Sequence, residues 1–117
     1  PWAFGVFAAL ALYVLVRIQI KRRQDRIRGY SFEYKSPGIV RGGEHEMAIE
    51  YREGENWILF YGLERGKNNS DFVYVSNSEA WDGKVESWAK GRRAEIVGRL
   101  AKDEIMRNRV IVESDDR

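Results

Sequence analysis

The sequence predicts an α+β protein: an N-terminal transmembrane helix, then a small antiparallel sheet with one packed helix and a C-terminal returning strand. Three observations carry that reading. Residues 1–16 (PWAFGVFAALALYVLV) hold no charged or strongly polar side chain. Between residues 30 and 76, short runs rich in β-branched and aromatic residues are separated by Gly, Pro and Asn. From about Val85 the apolar spacing becomes helical, and the chain then closes on the strand-like run RVIVES.

The opening run is read as a single membrane span over residues 1–20. At 1.5 Å per residue, 16 helical residues reach roughly 24 Å, short of the ~30 Å hydrocarbon core. Extension to Ile20 supplies about 30 Å, provided that Arg17 snorkels to the headgroups. Trp2 and Tyr13 are the interfacial aromatics. A secretory signal would carry its positive charge before the apolar run and small residues after it, the reverse of RIQIKRR. A buried helix would be apolar all round for longer than so small a domain encloses, and an interfacial helix needs a polar face that is missing before Arg17. Gly5 and Ala9 have the spacing of a helix-packing pair, one that an Ala-rich run also produces by chance.

Residues 21–29 form a basic juxtamembrane segment, its helix ending at Gly29. Positive charge flanking a span stays on the cytoplasmic side, which places residues 30–117 there as an α+β domain and makes the protein single-pass in an inner or cytoplasmic membrane. Arg17, Lys21, Arg22, Arg23 and Arg26 are the expected contacts to lipid headgroups, and residues 1–28 the lipid-binding part of the chain. The chain opens on Pro1, which fits either a processed start or a piece of a longer chain.

Within the domain, Tyr30 to Tyr34 alternates as a short strand, Pro37-Gly38 is a turn pair, and Ile39 to Arg41 is a second short strand before Gly42-Gly43. His45 to Arg52 sets Met47, Ile49 and Tyr51 on one face and Glu46, Glu50 and Arg52 on the other. Residues 53–56 (EGEN) make a hairpin loop. Trp57 to Leu63 is almost wholly apolar, as a central strand covered on both faces would be, with Trp57 in the core. Asp71 to Ser76 is the next strand, and residues 77–83 are irregular. A helix from Val85 presents Trp88, Ile96, Val97, Leu100, Ala101 and Ile105 to the sheet, weakened by Gly91 and Gly98, and Arg109 to Ser114 closes the fold.

Composition bounds the chemistry. There is no cysteine, which excludes disulfides, a thiol nucleophile and Cys-ligated metals. The pI near 9.0 belongs to one segment. Residues 1–28 carry six cations against Asp25, whereas residues 29–117 carry 14 Lys and Arg against 17 Asp and Glu, a net −3. An acidic body is the wrong footprint for nucleic acid, so no nucleic-acid partner is expected. His45, the one histidine, stands between Glu44 and Glu46 but on the opposite strand face, and a metal would need ligands from elsewhere. No nucleophile elbow, P-loop or singled-out carboxylate pair is present, so neither catalysis nor a cofactor is expected. Trp81 and Asp82, adjacent in a polar loop, are the candidate partner contacts, since Trp is favoured at interface centres.

From Ile49 the order of features resembles a known group. Tyr51 to Gly54 (YREG) leads into an apolar strand, and Phe72 to Ser76 (FVYVS) precedes Trp81-Asp82. A helix with Arg93, Ile96 and Leu100 runs into Val110 to Glu113 (VIVE). Over residues 45–114 this resembles small bacterial immunity proteins of polymorphic toxin systems, of the immunity protein 74 type, although the membrane helix departs from their usual soluble form. The resemblance implies a non-catalytic cytoplasmic domain that binds and blocks a cognate toxin domain. The expected function is therefore a membrane-tethered, non-enzymatic protein-interaction domain. The alternative is a membrane-anchored regulatory or scaffold domain acting on another membrane protein. Its oligomeric state is left open.

Overall fold

The apolar N-terminal run forms one continuous helix, α1 (Trp2–Arg28), in the computed structural model, which describes residues 2–36, 40–41, 44–66 and 68–114. Gly29 ends it at φ 80°, its N–H donating to the Asp25 carbonyl at 3.0 Å, a conformation that suits glycine. The chain divides into two compact units, Pro1–Tyr30 and Ser31–Arg117. Among the described residues no helix is long and apolar enough to cross a membrane. Side chains are described from Gly5 onward, and the uncharged run from there ends at Val16, about 18 Å of helix. The expected span over residues 1–20 also draws on residues 1–4, and those side chains, Trp2 included, lie outside the described residues.

The second unit is an α+β fold. Its strands are β1 (Ser31–Lys35), β2 (Val40–Arg41), β3 (Glu44–Glu53), β4 (Asn56–Glu64), β5 (Asp71–Ser76) and β6 (Arg109–Ser114). They form one sheet in the order β1-β3-β4-β5-β6, with β2 also paired to β3. The turn pair Pro37-Gly38, Ile39 and Gly42-Gly43 lie outside the described residues.

The β3–β4 hairpin fixes the register of the centre. Its loop is two residues, Gly54 and Glu55, closed by the pair Glu53 and Asn56. Gly54 at φ 62° supplies the positive φ that a two-residue hairpin turn needs at its first position. Ile49 then faces Phe60, Tyr51 faces Ile58, and Met47 faces Gly62. Gly62 is required by close approach: a Cβ there would meet the Phe72 carbonyl oxygen at 2.1 Å and the Met47 sulfur at 2.8 Å.

The expected all-antiparallel sheet is corrected at its last strand. β6 runs parallel to β5, from Asp71 beside Arg109 to Ser76 beside Ser114, so the sheet is mixed. A parallel neighbour needs a long crossover. Residues 77–108 provide it with α2 (Ser78–Lys84), a 3₁₀ turn at Ser87–Ala89, α3 (Arg93–Lys102) and a second 3₁₀ turn at Glu104–Met106.

The expected single helix from Val85 is also corrected. Gly91 adopts φ 74°, which breaks the run, and Asp82 accepts its N–H at 2.8 Å. The expected irregular segment 77–83 is helix α2, capped by the Asn77 side chain, which accepts the Ala80 N–H at 2.8 Å.

These helices cover the face of the sheet that carries Met47, Ile49, Tyr51, Phe60 and Val73. Ile96 and Leu100 of α3 are fully buried, Trp81 of α2 stacks on Phe60 with centroids 6.3 Å apart, and Trp88 stacks on Tyr51 at 6.3 Å. The sheet curls around this core. Tyr34 of β1 donates its hydroxyl to Glu64, and the Arg109 guanidinium of β6 lies 5.3 Å over the Tyr34 ring, so the outermost strands meet at one end.

Candidate functional site

Alternation along β4 decides which side chains the domain offers to a partner. Ile58, Phe60 and Gly62 point to the helices, so Trp57, Leu59, Tyr61 and Leu63 point away. Trp57 is 53% and Tyr61 55% exposed. The expectation that Trp57 belongs to the core and that β4 is covered on both faces is thus corrected: Trp57 and Tyr61 stand more than half exposed, and Leu59 and Leu63 between and beside them are half-buried. Strand pairing extends the same row sideways, Leu63 to Phe72 and Phe72 to Val110, with Val110 46% exposed. Phe72 and Tyr74 meet edge-on at 6.5 Å, and the Arg65 guanidinium sits 4.3 Å over the Phe72 ring.

On the β3 side this aromatic band is bordered by charge. Arg52 faces Trp57, Glu50 faces Leu59, and Glu46 faces Leu63. Glu33 of β1 lies beside Glu50. Arg52 is tied back to Glu50 at 2.8 Å, and Lys35 to Glu33 at 3.4 Å. The open face is therefore an aromatic strip with a charged margin in which Glu33 and Glu50 are paired with Lys35 and Arg52. Below it, β4 and β5 are paired only at residues 62–63 and 72–73. Beyond that ladder a small cleft opens, lined by Phe60, Tyr61, Tyr74, Ser76 and Trp81 among others.

A second cluster gathers polar side chains at the hairpin end. The Glu53 carboxylate accepts from both terminal nitrogens of Arg92 at 3.1 and 2.9 Å, from the Tyr51 hydroxyl at 2.6 Å and from Arg99 at 3.3 Å. Arg92 also donates to Glu95 at 2.8 Å, and Arg99 donates to the Tyr51 oxygen at 2.7 Å. The Arg92 guanidinium holds the Glu53 and Glu95 carboxyls below the usual carboxylate range. Burial first, and the bond to Glu53 second, push Tyr51 from 10.0 up to about 12. Two carboxylates face two guanidiniums, so the charges cancel within the cluster. That arrangement clamps β3 to α3 and leaves Tyr51 a poor proton donor at neutral pH.

The other residues singled out in the sequence are dispersed. Trp81 is in α2 rather than a loop and is 3% exposed, its Nε1–H donating to the Ala89 carbonyl at 2.9 Å. Its ring fills the core, and the expectation of a partner contact there is corrected. Asp82 is exposed, but its carboxylate already accepts the Gly91 N–H. His45 is exposed at the start of β3, beside Glu64 in the register. Among the described residues no three His, Asp or Glu side chains gather as a metal set. The Glu44 side chain lies outside the described residues.

In the first unit, Val6, Phe7, Leu10, Leu12, Tyr13, Val14, Leu15, Val16, Ile18 and Ile20 are all between 42% and 72% exposed. The cations that follow are not equivalent. Asp25 pairs with Arg28 at 2.8 Å and with Lys21 at 3.8 Å, and Arg17 lies 6.0 Å over the Tyr13 ring. Arg22, Arg23 and Arg26 have no ion pair among the described residues.

Compared with known proteins, the chain matches no family, no curated protein and no solved structure.

Proposed function

We propose that the protein is a membrane-tethered, non-enzymatic interaction module whose open sheet face receives a basic protein partner. The observation that carries this reading is the uncovered aromatic strip. Large aromatic side chains on a rigid strand are the usual anchors of interfaces, and a soluble domain gains nothing in stability by leaving two of them more than half exposed. The net −3 of residues 29–117 favours a cationic partner and speeds its encounter. The self-neutralised cluster around Glu53 supports a structural clamp over a catalytic centre.

The tether in this reading is α1. An apolar surface exposed on all sides is costly in water, at roughly 25 cal/mol per Å², and acyl chains relieve that cost. The cations after Val16 then hold the second unit on the cytoplasmic side of an inner or cytoplasmic membrane. Within this class, the resemblance over residues 45–114 names the partner as a toxin domain that the protein neutralises. The tether itself favours a second reading, a regulatory or scaffold domain acting on another membrane protein, because it confines the second unit to partners near the bilayer.

Co-expression with any toxin domain encoded beside this gene tests the first reading. Protection of the cells, lost in Trp57→Ala/Tyr61→Ala while the variant stays folded and abundant, supports it. A photo-crosslinking residue in place of Tyr61 tests the second, by capturing a resident membrane protein through the same face. Toxicity undiminished by the wild-type protein removes the immunity role.

A further inference from the structure

Two pairs of α1 cations, Lys21 with Arg28 and Arg23 with Arg26, lie on opposite sides of the helix, and Arg22 falls between them. With 3.6 residues per turn, Lys21, Asp25 and Arg28 fall within an arc of about 60°. That side is internally paired, Asp25 lying between the two cations. Arg23 and Arg26 lie on the opposite side, with no ion pair of their own among the described residues. On their side they continue an exposed face of the helix formed by Leu12, Leu15, Val16 and Ile20, with Gln19 beside Ile20 on that face.

We propose that this stripe is a binding site for one anionic phospholipid. An acyl chain lies along Leu12, Leu15, Val16 and Ile20, and Arg23 and Arg26 hold the phosphate with the Gln19 amide as a further donor. Apolar residues, then an amide at Gln19 and guanidiniums about one and two turns beyond it, follow the order of acyl chain, ester level and phosphate in a lipid. Guanidinium is the side chain best suited to bidentate phosphate contact. The opposite side also carries cations, Lys21, Arg28 and, one turn earlier, Arg17, but its carboxylate would repel the same headgroup. The site rests on the membrane reading of α1.

Reconstitution of the full chain into phosphatidylcholine vesicles tests it, with spin-labelled phosphatidylglycerol or phosphatidylcholine as the probe. Flotation with the vesicles comes first; protein left at the bottom of the gradient overturns the tether and the site together. In floated samples, spectra are expected to show phosphatidylglycerol held at the protein in preference to phosphatidylcholine. Arg23→Gln/Arg26→Gln is expected to reduce that preference by about fivefold per arginine. Lys21→Gln/Arg28→Gln, on the paired side, is expected to change it by less than twofold. Equal losses in the two double variants, or equal association of both lipids with the wild type, overturn the site while leaving the tether standing. Soluble glycerol phosphate at matched ionic strength is expected to leave the preference intact, and displacement by it overturns the acyl-chain part of the site.

Discussion

Glu53 closes β3 at the hairpin and is the residue on which the polar cluster turns. Its carboxylate faces Arg92 and Arg99 and accepts the Tyr51 hydroxyl. Glu53→Ala leaves two guanidiniums without their shared acceptor, so denaturant unfolding is expected to show a loss of about 2 kcal/mol. The pH dependence follows from the directions of the shifts. Glu53 and Glu95 bind protons less tightly in the folded state, so the stability they contribute is present above their ordinary range, near pH 4.3. It is lost as pH falls through the lowered folded values. Tyr51 has the opposite sign: its contribution is complete below pH 10 and is lost as pH rises towards about 12. Melting curves from pH 9 to 12 are expected to fall less steeply for Tyr51→Phe than for the wild type. The cluster was not legible in the sequence, because Glu53 and Arg92 are 39 residues apart and only the folded register brings them together.

At the scale of elements, the strands were the most legible part. β5 and β6 have the expected bounds, and Met47, Ile49 and Tyr51 share the buried face that their alternation implies. Trp57 was misread because a wholly apolar strand does not disclose which of its faces is covered. The missing signal is the two-residue hairpin: pairing Ile49 with Phe60 sends Trp57 and Tyr61 to the other side. The helical region was misread because its spacing is helical across a break, and the left-handed Gly91 is visible only as a glycine. Two predictions belong here. Gly62→Ala sets a methyl against the Phe72 carbonyl, and thermal or denaturant unfolding is expected to register a loss of about 1–3 kcal/mol. Trp57→Ala and Tyr61→Ala are expected to alter stability by no more than about 0.5 kcal/mol, as exposed positions do. Each should nevertheless weaken partner binding by about 2 kcal/mol or more, measured by titration calorimetry with the purified partner.

For the whole molecule, the division of charge matters more than the net value. A chain of net +2 consists of a basic apolar helix and an acidic α+β unit, and each half has the character that its proposed surroundings require. The α+β class was readable from the order of periodicities. The parallel placement of β6 was not, since strand patterns carry no direction, although the length of the 77–108 connection suits a crossover. The proposal that α1 tethers the protein is tested most directly by fractionating cells that express the full chain, washing the membranes at alkaline pH and sedimenting them. The account predicts that the chain stays in the pellet and is released by detergent alone. A chain recovered in the alkaline supernatant, folded and free of lipid, would contradict it.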